Sequence, residues 1–150
     1  MVVRTTDALA SLYEADETAW LDRMAELIRG KRYEELDYSH LQEFLSDMAK
    51  RDRRRVESRL AVLLEHLLKW TYQPAKRTRS WGRTIIVQQQ ELAGDVGTGV
   101  LKTHAVAVLS KVYAQAVRRA TVATGLPPET FPADCPYTLD QVMSLEVTMD

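Results

Sequence analysis

VESRLAVLLEHLLKWTYQP, residues 56–74, decides the fold. Placed at 100° per residue, Val56, Leu60, Leu63, Leu64 and Leu67 fall on one stripe, the mark of a helix with one buried face. The stripe predicts a core helix ending near Tyr72, because Pro74 disfavours helical geometry at Gln73 and has no amide hydrogen to donate. Upstream, Leu41, Phe44, Leu45 and Met48 predict an inward face on a helix starting near Asp37 or Ser39, either of which suits the N-cap. The charged run Lys50 to Arg55 holds no Pro or Gly, so this helix either continues into the core helix or Asp52 caps a fresh start. Further upstream, Trp20, Leu21, Met24, Leu27 and Ile28 recur at helical spacing from Asp16 to Ile28, and Gly30 supplies a stop in the left-handed region. Leu9, Leu12 and Tyr13 add a short turn or helix before it.

Downstream, a basic loop leads to Ser80, read as the cap of a helix from Trp81 to Leu92 with Ile85 and Leu92 inward. GDVGTG, residues 94–99, breaks it. A long helix from Val100 to Thr124 carries Leu101, Ala105, Val108, Val112, Ala116 and Ala120 inward, and Gly125 with Pro127 and Pro128 ends it. The tail GLPPETFPADCPYTLDQV cannot be one helix because of its prolines; Leu126, Phe131 and Tyr137 should tie it down, and Thr138 should cap a short terminal helix. Thr84 to Val87, TIIV, has strand propensity, but no run alternates apolar and polar residues as a strand would. The reading is all-α: a single compact bundle of about five main helices, with a Pro-rich C-terminal tail and a short terminal helix, forming one domain over residues 1–150.

Composition supports this. A chain of 150 residues that is 45% hydrophobic is long enough to bury a core without disulfides or metal. Cys135 is alone, and His40, His66 and His104 are too scattered for zinc-finger spacing, which points to a reducing compartment and no structural zinc. The first residues reach acids before any apolar stretch of signal-peptide length, and no 18 apolar residues run together, so the expectation is a cytoplasmic protein with no membrane partner. No catalytic motif and no cofactor motif is present. The oligomeric state is not encoded in any recognisable pattern.

The net charge of −1 hides an uneven distribution. Between Lys50 and Arg83 eleven Lys or Arg face three acids, Asp52, Glu57 and Glu65. Two readings compete: acidic N-terminal helices neutralise the block, or the block meets an anionic partner, a nucleic acid or an acidic protein surface. Lys69 to Arg83 sharpens the second, because it interleaves Trp70, Tyr72 and Trp81 with Lys76, Arg77, Arg79 and Arg83. Cations that track a backbone and rings that stack bases suit single-stranded nucleic acid. The segment also enters a helix N-terminus near Ser80, where free amides hold anions. The competing structural account pairs Arg77 or Arg79 with Asp16, Glu17 or Asp47 and places Trp81 in the core.

The candidate binding residues are therefore His66, Lys69, Trp70, Tyr72, Lys76, Arg77, Arg79, Ser80, Trp81 and Arg83. An interaction module without enzymatic activity is the leading function class. A second class is an enzyme or ligand-binding protein for a phosphorylated or carboxylated small molecule, with Arg77 and Arg79 as clamps and His66 as acid or base, since histidine titrates near neutrality. The bland reading of His66 is a half-buried ring bonded to a backbone or side-chain acceptor. A third class is self-association through an apolar patch at Tyr72 and Trp81. Glu43 and Asp47 form an i, i+4 carboxylate pair, more often solvated than metal-bound, and Cys135 reads as structural.

VESRL at Val56 to Leu60, LLEHLLKWTYQPAKRTRSW at Leu63 to Trp81 and GLPPETFPADCPYTLDQV at Gly125 to Val142 together resemble the bacterial family of domain of unknown function 29. LYEADETAW at Leu12 to Trp20 and ELDYSHL at Glu35 to Leu41 extend the resemblance over nearly the whole chain. It implies a small all-helical protein and no particular activity. The chain departs from the family pattern where a glutamate-rich helix reads QEFLSD, keeping Glu43, and where arginines after RSW give way to Gln88, Gln89 and Gln90. What the resemblance leaves is the compact element His66, Lys69, Trp70, Tyr72, Gln73, Pro74, Arg77, Ser80 and Trp81, either as a shared site or as a rigid helix-loop-helix corner built from the same residues.

Overall fold

The computed structural model describes residues 5–149, and all regular structure among them is helical. The order is α1 (Thr5–Ala15), α2 (Glu17–Arg29), a 3₁₀ turn (Tyr33–Glu35), α3 (Tyr38–Tyr72), a second 3₁₀ turn (Pro74–Lys76), α4 (Arg79–Val96), α5 (Gly99–Thr124), a third 3₁₀ turn (Pro128–Thr130) and α6 (Leu139–Ser144). The residues group into two compact units, Met1–Lys50 and Arg51–Asp150, and α3 contributes to both. The fold is all-α, and TIIV lies inside α4.

In the first unit, α1 and α2 enclose a cluster of Leu9, Trp20, Met24, Leu27 and Leu36, onto which Leu12, Tyr13, Leu21, Leu41 and Phe44 pack. Asp16 caps α2 by accepting a bond from the Ala19 amide. Two expectations fail here. Ile28 and Leu45 are exposed, at 46% and 60%, because each sits at the edge of its helix's apolar arc. Gly30 ends α2 without entering the left-handed region (φ −81°); the reversal falls on Lys31, at φ 56°.

In the second unit, Val56, Leu60, Leu63, Leu64 and Leu67 are all buried, and they share a core with Ile85 and Leu92 of α4, Ala105, Val112, Ala116 and Ala120 of α5, and Leu139 and Val142 of α6. The alanines of α5 leave little side chain between neighbouring backbones. The charged run at 50–55 does not interrupt α3, and Asp52 lies within the helix rather than capping a new one. The cap of α4 is Thr78, whose hydroxyl accepts from the Trp81 amide at 3.2 Å; Ser80 is already inside the helix. Gly94 and Asp95 also stay helical, and α4 stops only at Gly97. Gly125 does close α5 in the left-handed region, at φ 72°. Phe131 is buried, Leu126 and Tyr137 pack on the same core, and Thr138 caps α6 in a reciprocal capping box with Gln141. Gln89 clamps that short helix: its amide donates to the carbonyls of Val142 and Leu145 at 3.1 and 2.9 Å.

Candidate anion-binding corner

Helix α3 ends at Tyr72 because Pro74 removes the amide that Trp70's carbonyl would have accepted. Arg77 fills that gap: its Nε donates to the Trp70 carbonyl at 2.8 Å, and its guanidinium lies 4.8 Å from the centroid of the Trp70 ring. The indole itself is buried. Its far edge rests on α4 at Gly82, where an added Cβ would lie 3.5 Å from Trp70 Cζ3. Lys69 crosses in the other direction, with Nζ 4.7 Å from the centroid of half-buried Trp81. Tyr72 meets Phe131 edge to face at 5.5 Å. All three rings of the segment are thus engaged within the fold.

Lys76, Arg79, Ser80 and Arg83 are exposed. Arg79 and Arg83 stand four residues apart in the first turns of α4, on one flank of the helix. Thr78 serves the Trp81 amide through its hydroxyl and the Gly82 amide through its carbonyl, so the amides of Arg79 and Ser80 have no protein acceptor among the described residues. These amides sit at the positive end of an 18-residue helix.

The basic block divides into two parts. Arg55 binds Asp95 at 3.0 Å and Asp52 at 3.1 Å, and Arg59 binds Glu91 at 2.9 Å, so part of the α3 charge is matched by acids of α4. Among the described residues, no carboxylate lies within ion-pair distance of Lys69, Lys76, Arg77, Arg79 or Arg83. Arg77 is held within its own unit by a carbonyl and an indole face.

His66 follows the bland reading. The ring is half-buried on α3, and Nδ1 lies 2.8 Å from the Val62 carbonyl. Burial lowers its pKa, with the charge of Lys69 acting in the same direction, against the opposing pull of the Val62 carbonyl and Glu65. Cys135 donates to the Tyr137 carbonyl at 3.4 Å, and burial raises its pKa, which reduces thiolate reactivity. Glu43 and Asp47 are exposed, and among the described residues no group of three or more potential ligands gathers around a metal position. No helix among them is long and apolar enough to cross a membrane.

Sequence reasoning missed the polar centre of the first unit. Asp37, only 6% exposed, receives the Trp20 indole N–H at 3.2 Å, the His40 amide at 3.3 Å and His40 Nδ1 at 2.8 Å. Tyr13 stacks on the same imidazole at 4.4 Å. Asp37 was readable as an N-cap, but its indole and imidazole partners come from tertiary packing.

Comparison with curated proteins and with solved structures returns no match. The family model described as domain of unknown function DUF29 matches residues 12–147, nearly the whole chain, and the protein belongs to that family.

Proposed function

We propose that this protein is a helical interaction module, without catalytic activity of its own, that docks an anionic partner through the exposed cations Lys76, Arg79 and Arg83 at the α3–α4 corner. One observation carries the reading: acids of α4 match Arg55 and Arg59, whereas the cations of the corner have no carboxylate partner among the described residues. The two free amides at the start of α4 add donors suited to a phosphate or carboxylate. Because Trp70, Tyr72 and Trp81 are held in packing contacts, recognition runs through charge rather than through stacking on unpaired bases. A nucleic-acid backbone is the partner these donors fit best, since arginine pairs and helix amides both match phosphate geometry.

The test is a fluorescence-anisotropy titration of labelled duplex DNA, single-stranded RNA and an acidic peptide over a salt series, using the parent and the Lys76→Ala, Arg79→Ala, Arg83→Ala triple variant. Arg77 is left intact because it caps α3. The reading expects duplex binding whose log affinity falls with log salt, with a slope shallower by about 2 to 3 in the variant. Binding unchanged by the triple substitution would refute the corner, and preference for the acidic peptide would reassign the partner to a protein surface.

A further inference from the structure

A second set of cations without partners lines the groove between α3 and α5, away from the corner residues. Arg54 of α3 with Lys111 and Arg119 of α5 borders a cavity of about 350 Å³, together with Ser58 and Gln115. Among the described residues none of these three cations has a carboxylate within ion-pair distance. Glu57 is the one acid on this wall, and it sits 3.7 Å from His104 Nε2. Three cations, a hydroxyl and a carboxamide from two helices thus line one hollow and supply the donors that a phosphate group takes.

The same groove continues into a second cavity of about 550 Å³ that shares Gln115 and Arg119 with the first. Its character differs. Val122, 86% exposed, and Ala123 stand at its apolar rim, opposite Glu65 as an acceptor and beside Arg118. Both volumes fall in the range of about 300 to 1,000 Å³ usual for small-molecule sites. From Lys111 to Val122 the groove spans roughly 16 Å at about 1.5 Å per helical residue, long enough for a phosphate joined to a ring system. The exposed valine explains itself in this setting, because a flat apolar ring can cover it while Glu65 accepts from an amino or hydroxyl group and Gln115 bonds the linker.

We infer that the α3–α5 groove binds a nucleoside monophosphate or a close chemical analogue, with the phosphate at Arg54, Lys111 and Arg119 and the base over Val122. This site is independent of the proposed docking corner.

Isothermal titration of the full chain with AMP, adenosine and inorganic phosphate tests it. AMP is expected to bind saturably at a single site, with adenosine and phosphate each weaker by about tenfold or more, since each keeps half of the contacts. Arg119→Glu should weaken AMP by at least about tenfold, and Glu65→Gln should weaken it by a few-fold while leaving phosphate binding unchanged. Both side chains are outside the buried core, and an unchanged melting temperature confirms that the variants fold. No saturable AMP binding to millimolar concentration would overturn the inference. So would phosphate binding as tightly as AMP, or AMP binding lost in the Arg79→Ala, Arg83→Ala variant and kept in Arg119→Glu. That last pattern would leave the corner standing as an anion site, so the two proposals fail separately.

Discussion

Asp37 is the residue on which the first unit turns. It is a carboxylate withdrawn from water, and three donors from two helices converge on it: the Trp20 indole, the His40 amide and the His40 ring. Removing it leaves the Trp20 N–H buried without an acceptor and α3 without its cap. Asp37→Ala is therefore expected to cost on the order of 3 kcal/mol, read by urea denaturation, and a loss under about 0.5 kcal/mol would contradict this account of the network. His66 acts through protonation. Its folded pKa lies below the ordinary 6.5, so the native state binds fewer protons than the unfolded chain as pH falls through that value. Stability should drop as pH is lowered through about 6.5 and level off below the folded pKa. In His66→Gln that increment should be absent between pH 7 and 5, measured as the difference in denaturation midpoints; identical profiles for parent and variant would count against it. The stripe Val56 to Leu67 was legible residue by residue because periodicity alone fixes a buried face. The roles of Asp37 and Arg77 were not, since each depends on a partner that only the fold supplies.

At the scale of elements, the α3–α4 corner separates a structural arginine from exposed ones. Arg77 caps the carbonyl that Pro74 orphans and covers an indole, so Arg77→Ala should destabilise by about 1 to 2 kcal/mol, whereas Arg79→Ala should stay within about 0.5 kcal/mol. Thermal melts of the two variants side by side check this, and equal effects would remove the distinction. Gly82 faces Trp70 at ordinary contact distance, 3.5 Å for an added Cβ. Gly82→Ala should thus be accepted and raise stability by up to about 1 kcal/mol through helix propensity. A loss of stability there would mean the two helices cannot accept the methyl. Helix boundaries were readable where a special backbone state is required, as at Gly125. They were not readable where two hydroxyl residues compete: Thr78 and Ser80 both suit an N-cap, and only the course of the chain after Pro74 selects Thr78. In the same way a charged run without Pro or Gly permits either a break or a continuous helix, and α3 continues.

At the scale of the whole molecule, the chain contains two compact units with separate apolar clusters. The sequence was read as one domain, and the corresponding proposal is that both units unfold together. Trp20 reports the first unit, Trp70 and Trp81 the second. Fluorescence of a Trp70→Phe, Trp81→Phe variant and of a Trp20→Phe variant should give coincident midpoints, each relative to its own circular-dichroism transition; separate midpoints would mean two independently folding units. The uneven charge was visible in the sequence, but which of its cations find an acid was not, because Glu91 and Asp95 reach Arg59 and Arg55 only once α4 folds back beside α3. The central claim is that the unmatched cations of the α3–α4 corner are where an anionic partner docks. The most direct measurement is an amide nuclear magnetic resonance titration of the ¹⁵N-labelled chain with a short DNA duplex at low salt. The account predicts that the largest shifts fall between Lys76 and Arg83, with the amides of Arg79 and Ser80 foremost. Shifts that leave those residues unmoved, or no shifts at all, would contradict it.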